Sequence, residues 1–149
     1  MNSQAPSALK RSLTRRYRFA ASHRLHAAGL TADENRRVYG KCNNPFGHGH
    51  NYTLEVTVTG PVNDATGMIA NLADLDAFVD NAVLEPFDHK YLNEQVPPFE
   101  VVVPTTENLC REIYRRLQKF PQARLERVRI EETSKNSFEF EGENHGTNI

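Results

Sequence analysis

Two segments of the chain alternate apolar and polar residues with a period of two. At residues 50–59, side chains such as Val56 share one parity, and polar side chains occupy the other. Residues 13–23 show the same alternation, with Phe19 on the apolar side. This pattern is typical of half-buried strands in an antiparallel sheet with one covered face. Pro61 follows a glycine and ends the second strand.

Two segments with helical spacing follow the strands. Asn71 is suited to cap the first helix, and Pro86 marks its end. The second helix is predicted to start at Thr105 or Thr106, after an irregular connection at 85–104. The apolar stripes consist of Leu72, Leu75, Val79, Ala82 and Val83 in the first helix, and of Leu109, Ile113, Leu117 and Phe120 in the second.

Two short strands, predicted at 124–133 and 137–141, close the chain. The order ββααββ predicts an α+β fold with a four-stranded antiparallel sheet and two helices on one face. We expect one domain at 13–142, flanked by a flexible N-terminal tail at 1–12 and a C-terminal tail at 143–149. Such a small sheet has two edges, so self-association is expected; a monomer with blunted edges is the alternative.

Charge, hydropathy and cysteine content argue against nucleic-acid-binding, membrane and disulfide-rich classes of protein. The formal net charge is -1 at pH 7, which provides no global basic field, so we expect no nucleic-acid partner. No apolar run approaches the roughly 20 residues that span a bilayer, so no membrane association is expected. Cys42 and Cys110 are too few for a disulfide scaffold, which favours a reducing, cytoplasmic location.

Three histidines are predicted to meet at one end of the sheet. His48 and His50 are two residues apart as the second strand begins, so they share a face. His23 ends the first strand with inward parity, and antiparallel pairing brings it close to the other two. Three imidazoles with a fourth position open are typical of catalytic Zn²⁺. Two alternatives stay open: Cys42 as the fourth ligand of a closed structural site, and His26 in place of His23.

Groups suited to acid–base chemistry lie nearby in sequence. Cys42 lies in a loop before the histidine pair, where Zn²⁺ or an imidazolium would lower the thiol pKa from about 8.5. Cys110 has helical spacing to apolar residues and is predicted to be core. Asp88 and His89 follow the first helix. They are either a polar loop pair, or groups that converge on Cys42 through a turn or serve a neighbouring subunit.

Glu132 shares its strand parity with Val128 and Ile130, which places a carboxylate on the core side. An unpaired carboxylate there would be costly, so it needs a partner with N–H donors. The 2-amino-4-oxo edge of a pterin or guanine offers two parallel N–H groups. An internal arginine, or exposure at the end of the strand, is the alternative.

Together these segments resemble the 6-pyruvoyl-tetrahydropterin synthase family, in matching order over about 13–142. The matching segments are Ala21-Ser22-His23-Arg24-Leu25, the run from Cys42 to His50, Thr66-Gly67-Met68, Asp88-His89-Lys90, Thr105-Thr106-Glu107-Asn108 and Glu132-Thr133. The resemblance implies the tunnelling fold, in which trimers close a barrel and two trimers form a homohexamer with sites at subunit interfaces.

The resemblance also implies an activity and its residues. The activity would be that of a zinc-dependent lyase in tetrahydrobiopterin biosynthesis, which converts 7,8-dihydroneopterin triphosphate to 6-pyruvoyl-tetrahydropterin and triphosphate. The implied residues are the metal ligands His23, His48 and His50, the catalytic residues Cys42, Asp88 and His89, and the pterin-binding residues Glu132, Thr105 and Thr106. Asp88 and His89 would come from an adjacent subunit.

Two other functions compete with this one. 6-Carboxy-tetrahydropterin synthase of the deazapurine pathway resembles this family in fold and substrate, but its cysteine stands closer to the histidine pair. Here Cys42 precedes His48 by six positions, which favours the pyruvoyl enzyme. The second competitor is a non-catalytic, zinc-stabilised module with Cys42 as a ligand. For a triphosphate, the candidate ligands are Arg24, Arg36, Arg37 and Lys41.

Overall fold

The computed structural model describes residues 11–142, so the predicted tail at 143–149 and most of the predicted tail at 1–12 lie outside the described residues. The elements within this range are β1 Ser12–His23, α1 Ala32–Tyr39, β2 His48–Thr59, α2 Leu72–Val79, α3 Glu85–Phe87, β3 Lys90–Tyr91, α4 Leu92–Gln95, α5 Thr106–Leu117, β4 Arg124–Thr133 and β5 Asn136–Phe140. A 3-10 turn at Gly40–Asn43 follows α1, and a π-helical segment at Asp80–Leu84 joins α2 to α3.

The strands form one sheet in the order β3-β1-β2-β4-β5. Neighbouring strands are antiparallel, except that β3 runs parallel to β1 and pairs with Ala21 and Ser22. The α+β class is as predicted, but the prediction of four strands in a purely antiparallel sheet is wrong. The additional strand, β3, has two residues, which is too short to show a period-two alternation.

The long pairing of β1 with β2 forms the middle of the sheet. It runs in one register from Ser12 opposite Thr59 to His23 opposite His48. In both strands, the alternate apolar side chains that were predicted to face inward are on the buried face, and Leu54 is fully buried. The register is unbroken at His23 and its neighbours, so the glycine between His48 and His50 does not form a bulge.

The helices cover the apolar face of the sheet. Thr105 caps α5 by accepting a hydrogen bond from the Asn108 amide, and Asn71 caps α2 in the same way through Asp74. The predicted stripe on α5 is buried, including Leu109. Helical backbone continues past α2 through the π-helical segment to α3, one residue beyond the predicted end at Pro86. No helix within residues 11–142 is long and apolar enough to cross a membrane.

Helix α1 was absent from the sequence-based prediction because it has no apolar stripe. It is held instead by a capping box, in which the Thr31 hydroxyl accepts from the Glu34 amide and the Glu34 carboxylate accepts from the Thr31 amide. The buried Asn35 side chain hydrogen-bonds both backbone groups of Ala27. The Thr-x-x-Glu spacing at 31–34 is the sequence signal that would have located it.

The difference between core and surface can be tested with two identical substitutions. Val128 on β4 is fully buried, whereas Val101 is 86% exposed. We expect Val128→Ala to lower the free energy of unfolding by about 2 kcal/mol, because two methyl groups leave a packed core. Val101→Ala should change it by less than about 0.5 kcal/mol. Urea titrations at one protein concentration measure both, and equal losses would contradict this assignment of the core.

Candidate metal and active site

The pairing of β1 with β2 brings the three predicted histidines together. His23 lies opposite His48, and His50 lies two residues further along the same face. Their ring centroids are 4.6–5.2 Å apart. The Nε2 atoms of all three are buried and have no hydrogen-bond partner among the residues that the structure describes. Buried polar atoms are normally satisfied, and three such nitrogens close together are an arrangement that one metal ion would satisfy.

The surroundings of His23 prepare its Nε2 to bind a metal. Its Nδ1 lies 3.1 Å from the Pro104 carbonyl oxygen, which can only accept, so the proton belongs on Nδ1. This leaves the lone pair on Nε2 and fixes the ring orientation, as is usual for histidines that bind metals. Burial lowers the pKa of His23 to about 4, so its imidazole is neutral near pH 7. Burial also lowers the pKa of His50.

A zinc ion fits this set of donors. The three imidazole nitrogens and the Cys42 sulfur all lie within 4.8 Å of one another, and nitrogen with sulfur is the ligand chemistry that zinc prefers. The geometry accommodates two arrangements: three histidines with an open position beside the thiol, or a closed site with four ligands. His26 is outside this group, and its Nδ1 lies 3.0 Å from the Asn43 side-chain nitrogen.

Cys42 is positioned by the 3-10 turn that docks on the end of β1. The Leu25 amide donates to the Cys42 carbonyl at 2.7 Å, and the Asn43 side chain donates to the Leu25 carbonyl at 2.7 Å. Burial raises the pKa of the Cys42 thiol, and the nearby negative charge of Glu132 adds to this effect. These groups therefore favour the neutral thiol, so a thiolate requires a cation at the site.

Glu132 lies beside the histidines, which its strand parity alone did not show. Its Oε2 is 3.6 Å from His50 Nε2 and 3.8 Å from His23 Nε2. The pairing of β4 with β5 shifts register at this point, between Glu131 and Thr133. Its other carboxylate oxygen accepts from the Asn136 side chain at 3.0 Å, rather than from the internal arginine considered above. The carboxylate therefore faces the same small volume as the imidazoles.

The start of α5 adjoins this cluster through the backbone. Pro104, which accepts from His23, directly precedes Thr105 and Thr106. The Thr105 hydroxyl is engaged in capping α5, where it accepts from the Asn108 amide at 3.1 Å. Thr106 is buried as the first residue of the helix. The structure thus gives Thr105 a structural role, and the pterin contacts of both threonines stay a prediction.

Asp88 and His89 lie at the edge of β1, where they contact each other directly. Asp88 Oδ1 accepts from the Ala20 amide at 2.8 Å, and its Oδ2 lies 3.1 Å from His89 Nδ1. His89 has a φ of 60°, a left-handed backbone that few residues other than glycine adopt. This turn was not visible in the sequence, where adjacent side chains are expected to diverge.

The exposed ring of His89 borders a cavity of about 480 Å³ that is also lined by Ser22, His50 and Tyr91. Cys42 is not among the described residues that line this cavity. The polar contacts described for the Asp88 and His89 side chains are with each other and with Ala20. The role of the pair, including service to a neighbouring subunit, stays a prediction.

The chain is similar in sequence to known proteins. The chain matches the family described as 6-pyruvoyl tetrahydropterin synthase over residues 12–143. It is 48% identical, over 132 residues, to the 6-pyruvoyl tetrahydrobiopterin synthases of Poecilia reticulata and Homo sapiens, with 88% of this chain and 90% and 91% of theirs covered.

A solved structure confirms the predicted fold. The Caenorhabditis elegans 6-pyruvoyl tetrahydropterin synthase superposes with a TM-score of 0.85 at 37% identity, covering 91% of this chain and 97% of that one. The match covers most of both chains, and a TM-score of 0.85 shows that they share one fold. The chain therefore belongs to the 6-pyruvoyl tetrahydropterin synthase family.

Proposed function

We propose that the protein is a zinc-dependent lyase that converts 7,8-dihydroneopterin triphosphate to 6-pyruvoyl-tetrahydropterin and triphosphate, in tetrahydrobiopterin biosynthesis. The observation that carries this proposal is the convergence of three buried, unpartnered Nε2 atoms beside Cys42 and Glu132. Because the chain belongs to the 6-pyruvoyl tetrahydropterin synthase family, we infer that this site acts on the family's substrate.

Different residues of this chain would bind the metal and the pterin. His23, His48 and His50 would hold the zinc ion, which supplies a Lewis acid that polarises substrate hydroxyls and acidifies the adjoining C–H bonds. Glu132 would accept two N–H groups from the 2-amino-4-oxo edge of the pterin. Because Glu132 Oε2 lies 3.6 Å from His50 Nε2, a pterin bound to Glu132 would lie close to the metal ligands.

Proton transfer would involve Cys42 and His89. The Cys42 thiolate removes a proton from the substrate side chain, and a protonated partner returns one to the pterin ring. His89 of an adjacent subunit, with Asp88 holding its Nδ1, would be that partner. The ring is reduced, the side chain is oxidised and triphosphate leaves by elimination, so no external redox cofactor is consumed.

A homohexamer built from two trimers would complete the site. Within the described residues, β5 lies at one edge of the sheet, and β3 pairs with only Ala21 and Ser22 of β1. Most of the outer edge of β1 is thus open to another chain. We also propose a cytoplasmic location, because Cys42 must remain a free thiol. The formal net charge of -1 provides no basic field for nucleic acid, and we propose no membrane partner either.

One observation supports a second function. Because Cys42 Sγ lies within 4.8 Å of the three histidine nitrogens, it could complete a closed zinc site in a non-catalytic module. The 6-carboxy-tetrahydropterin synthase activity is the remaining competitor, and it is disfavoured because Cys42 precedes His48 by six positions. The following experiment separates all three.

An anaerobic assay of wild type and Cys42→Ala with 7,8-dihydroneopterin triphosphate tests the proposal. We expect the variant to keep its zinc and to lose at least about 100-fold in turnover, because it lacks the general base. Cys110→Ala is the control, since Cys110 is buried between α5 and β4, and its turnover per folded molecule should stay near that of wild type.

Three outcomes would contradict this account. Normal turnover in Cys42→Ala would remove the thiol from the mechanism. Loss of zinc together with folding would favour the structural module. Release of acetaldehyde by the wild type would favour the carboxy enzyme.

Glu132→Gln tests the pterin contact independently of turnover. We expect zinc to be retained and the affinity for neopterin to fall by about 10- to 100-fold, because hydrogen bonds to a charged group contribute about 1.5–3 kcal/mol. Fluorescence titration measures the affinity, and metal analysis measures the zinc. The control is Glu131→Gln, one residue away and 3.7 Å from Arg129. Unchanged neopterin affinity, or loss of zinc from Glu132→Gln, would overturn this role.

A further inference from the structure

A second cavity, of about 460 Å³, borders the histidine cluster at His48. Its lining includes the basic side chains Arg24, Arg36 and Lys41 and the imidazoles of His26 and His48. No acidic residue is among the described residues that line it. In a chain with a formal net charge of -1, this local excess of positive charge marks a place for an anion.

Hydrogen bonds to its backbone hold Arg24 in the wall of this cavity. The Asn93 side chain accepts from the Arg24 amide and donates to the Arg24 carbonyl, both at 2.8 Å. The Arg24 Nε donates to the Asn43 carbonyl at 3.2 Å. Because the backbone and one guanidinium N–H are already held, less side-chain freedom is lost when this residue binds a ligand.

The other two basic residues come from the segment before β2. Arg36 projects from α1, and Lys41 projects from the 3-10 turn that also carries Cys42. Arg36 pairs with the exposed carboxylate of Asp33, and such surface pairs contribute little free energy, so an anion can replace this partner. Arg37, the fourth candidate from the sequence, does not line the cavity.

We propose that this cavity is the subsite for the triphosphate chain of the substrate, with Arg24, Arg36 and Lys41 as its ligands. This assignment rests on the proposed function. His48 belongs both to the histidine cluster and to the cavity wall, so an anion bound here lies next to the metal site. Guanidinium groups bind phosphate oxygens in pairs and lysine binds them as a point charge, which suits a chain of phosphates.

Inorganic tripolyphosphate is the probe, titrated calorimetrically into the zinc-loaded protein. We expect Arg36→Gln and Lys41→Gln each to raise its Kd by about 10-fold, the loss of one charge-assisted contact. Arg37→Gln removes the same charge from the neighbouring position on α1 and should change the Kd by less than about twofold. If tripolyphosphate removes zinc, it does so in every variant, so the comparison of Kd values between variants is unaffected.

Neopterin, which lacks phosphate, serves as the folding control, and its affinity should be the same in all of these variants. Equal weakening of tripolyphosphate binding by Arg37→Gln would show a diffuse charge effect and overturn the subsite. So would wild-type affinity in both Arg36→Gln and Lys41→Gln.

The result is independent of turnover. A wild type that converts the substrate while the cavity variants bind like wild type would refute the subsite alone. The expected binding pattern without conversion would support a polyphosphate site and refute the proposed function.

Discussion

The candidate site depends on one register between two antiparallel strands. His23 lies opposite His48, and His50 lies opposite Ala21, because β1 and β2 pair without a shift along their whole length. A slip of one residue would turn His23 to the polar face and separate it from the other two. The same slip would expose the buried apolar side chains of β1, among them Phe19, so packing of the core fixes the geometry of the site.

This arrangement has an energetic cost that a ligand would offset. Each buried nitrogen without a partner costs about 1–3 kcal/mol, and three of them converge here. Burial keeps His23 neutral by lowering its pKa to about 4, so the site is suited to a metal ion rather than to protons. Burial also favours the neutral form of the thiol beside it, by raising the pKa of Cys42. A bound cation would therefore stabilise both the fold and the reactive form of the cysteine.

The elements with a long periodic pattern could be predicted from the sequence. The elements that depend on a few local contacts could not. The period-two alternation located β1, β2 and β4, and with them the histidine cluster and the inward side of Glu132. Helix α1 was missed because a capping box and one buried asparagine hold it, and β3 because two residues carry no periodicity. The contact of Asp88 with His89 depends on a left-handed backbone at His89, which no residue pattern indicates.

The central claim is that three imidazoles, and not the thiol, hold zinc. X-ray absorption at the zinc edge of the loaded protein tests this most directly, since nitrogen and sulfur ligands differ in distance. We predict nitrogen or oxygen ligands at about 2.0–2.1 Å, three of them imidazoles, and no sulfur ligand. A sulfur ligand at about 2.3 Å would contradict the account, because Cys42 would then close the site and leave no position for substrate.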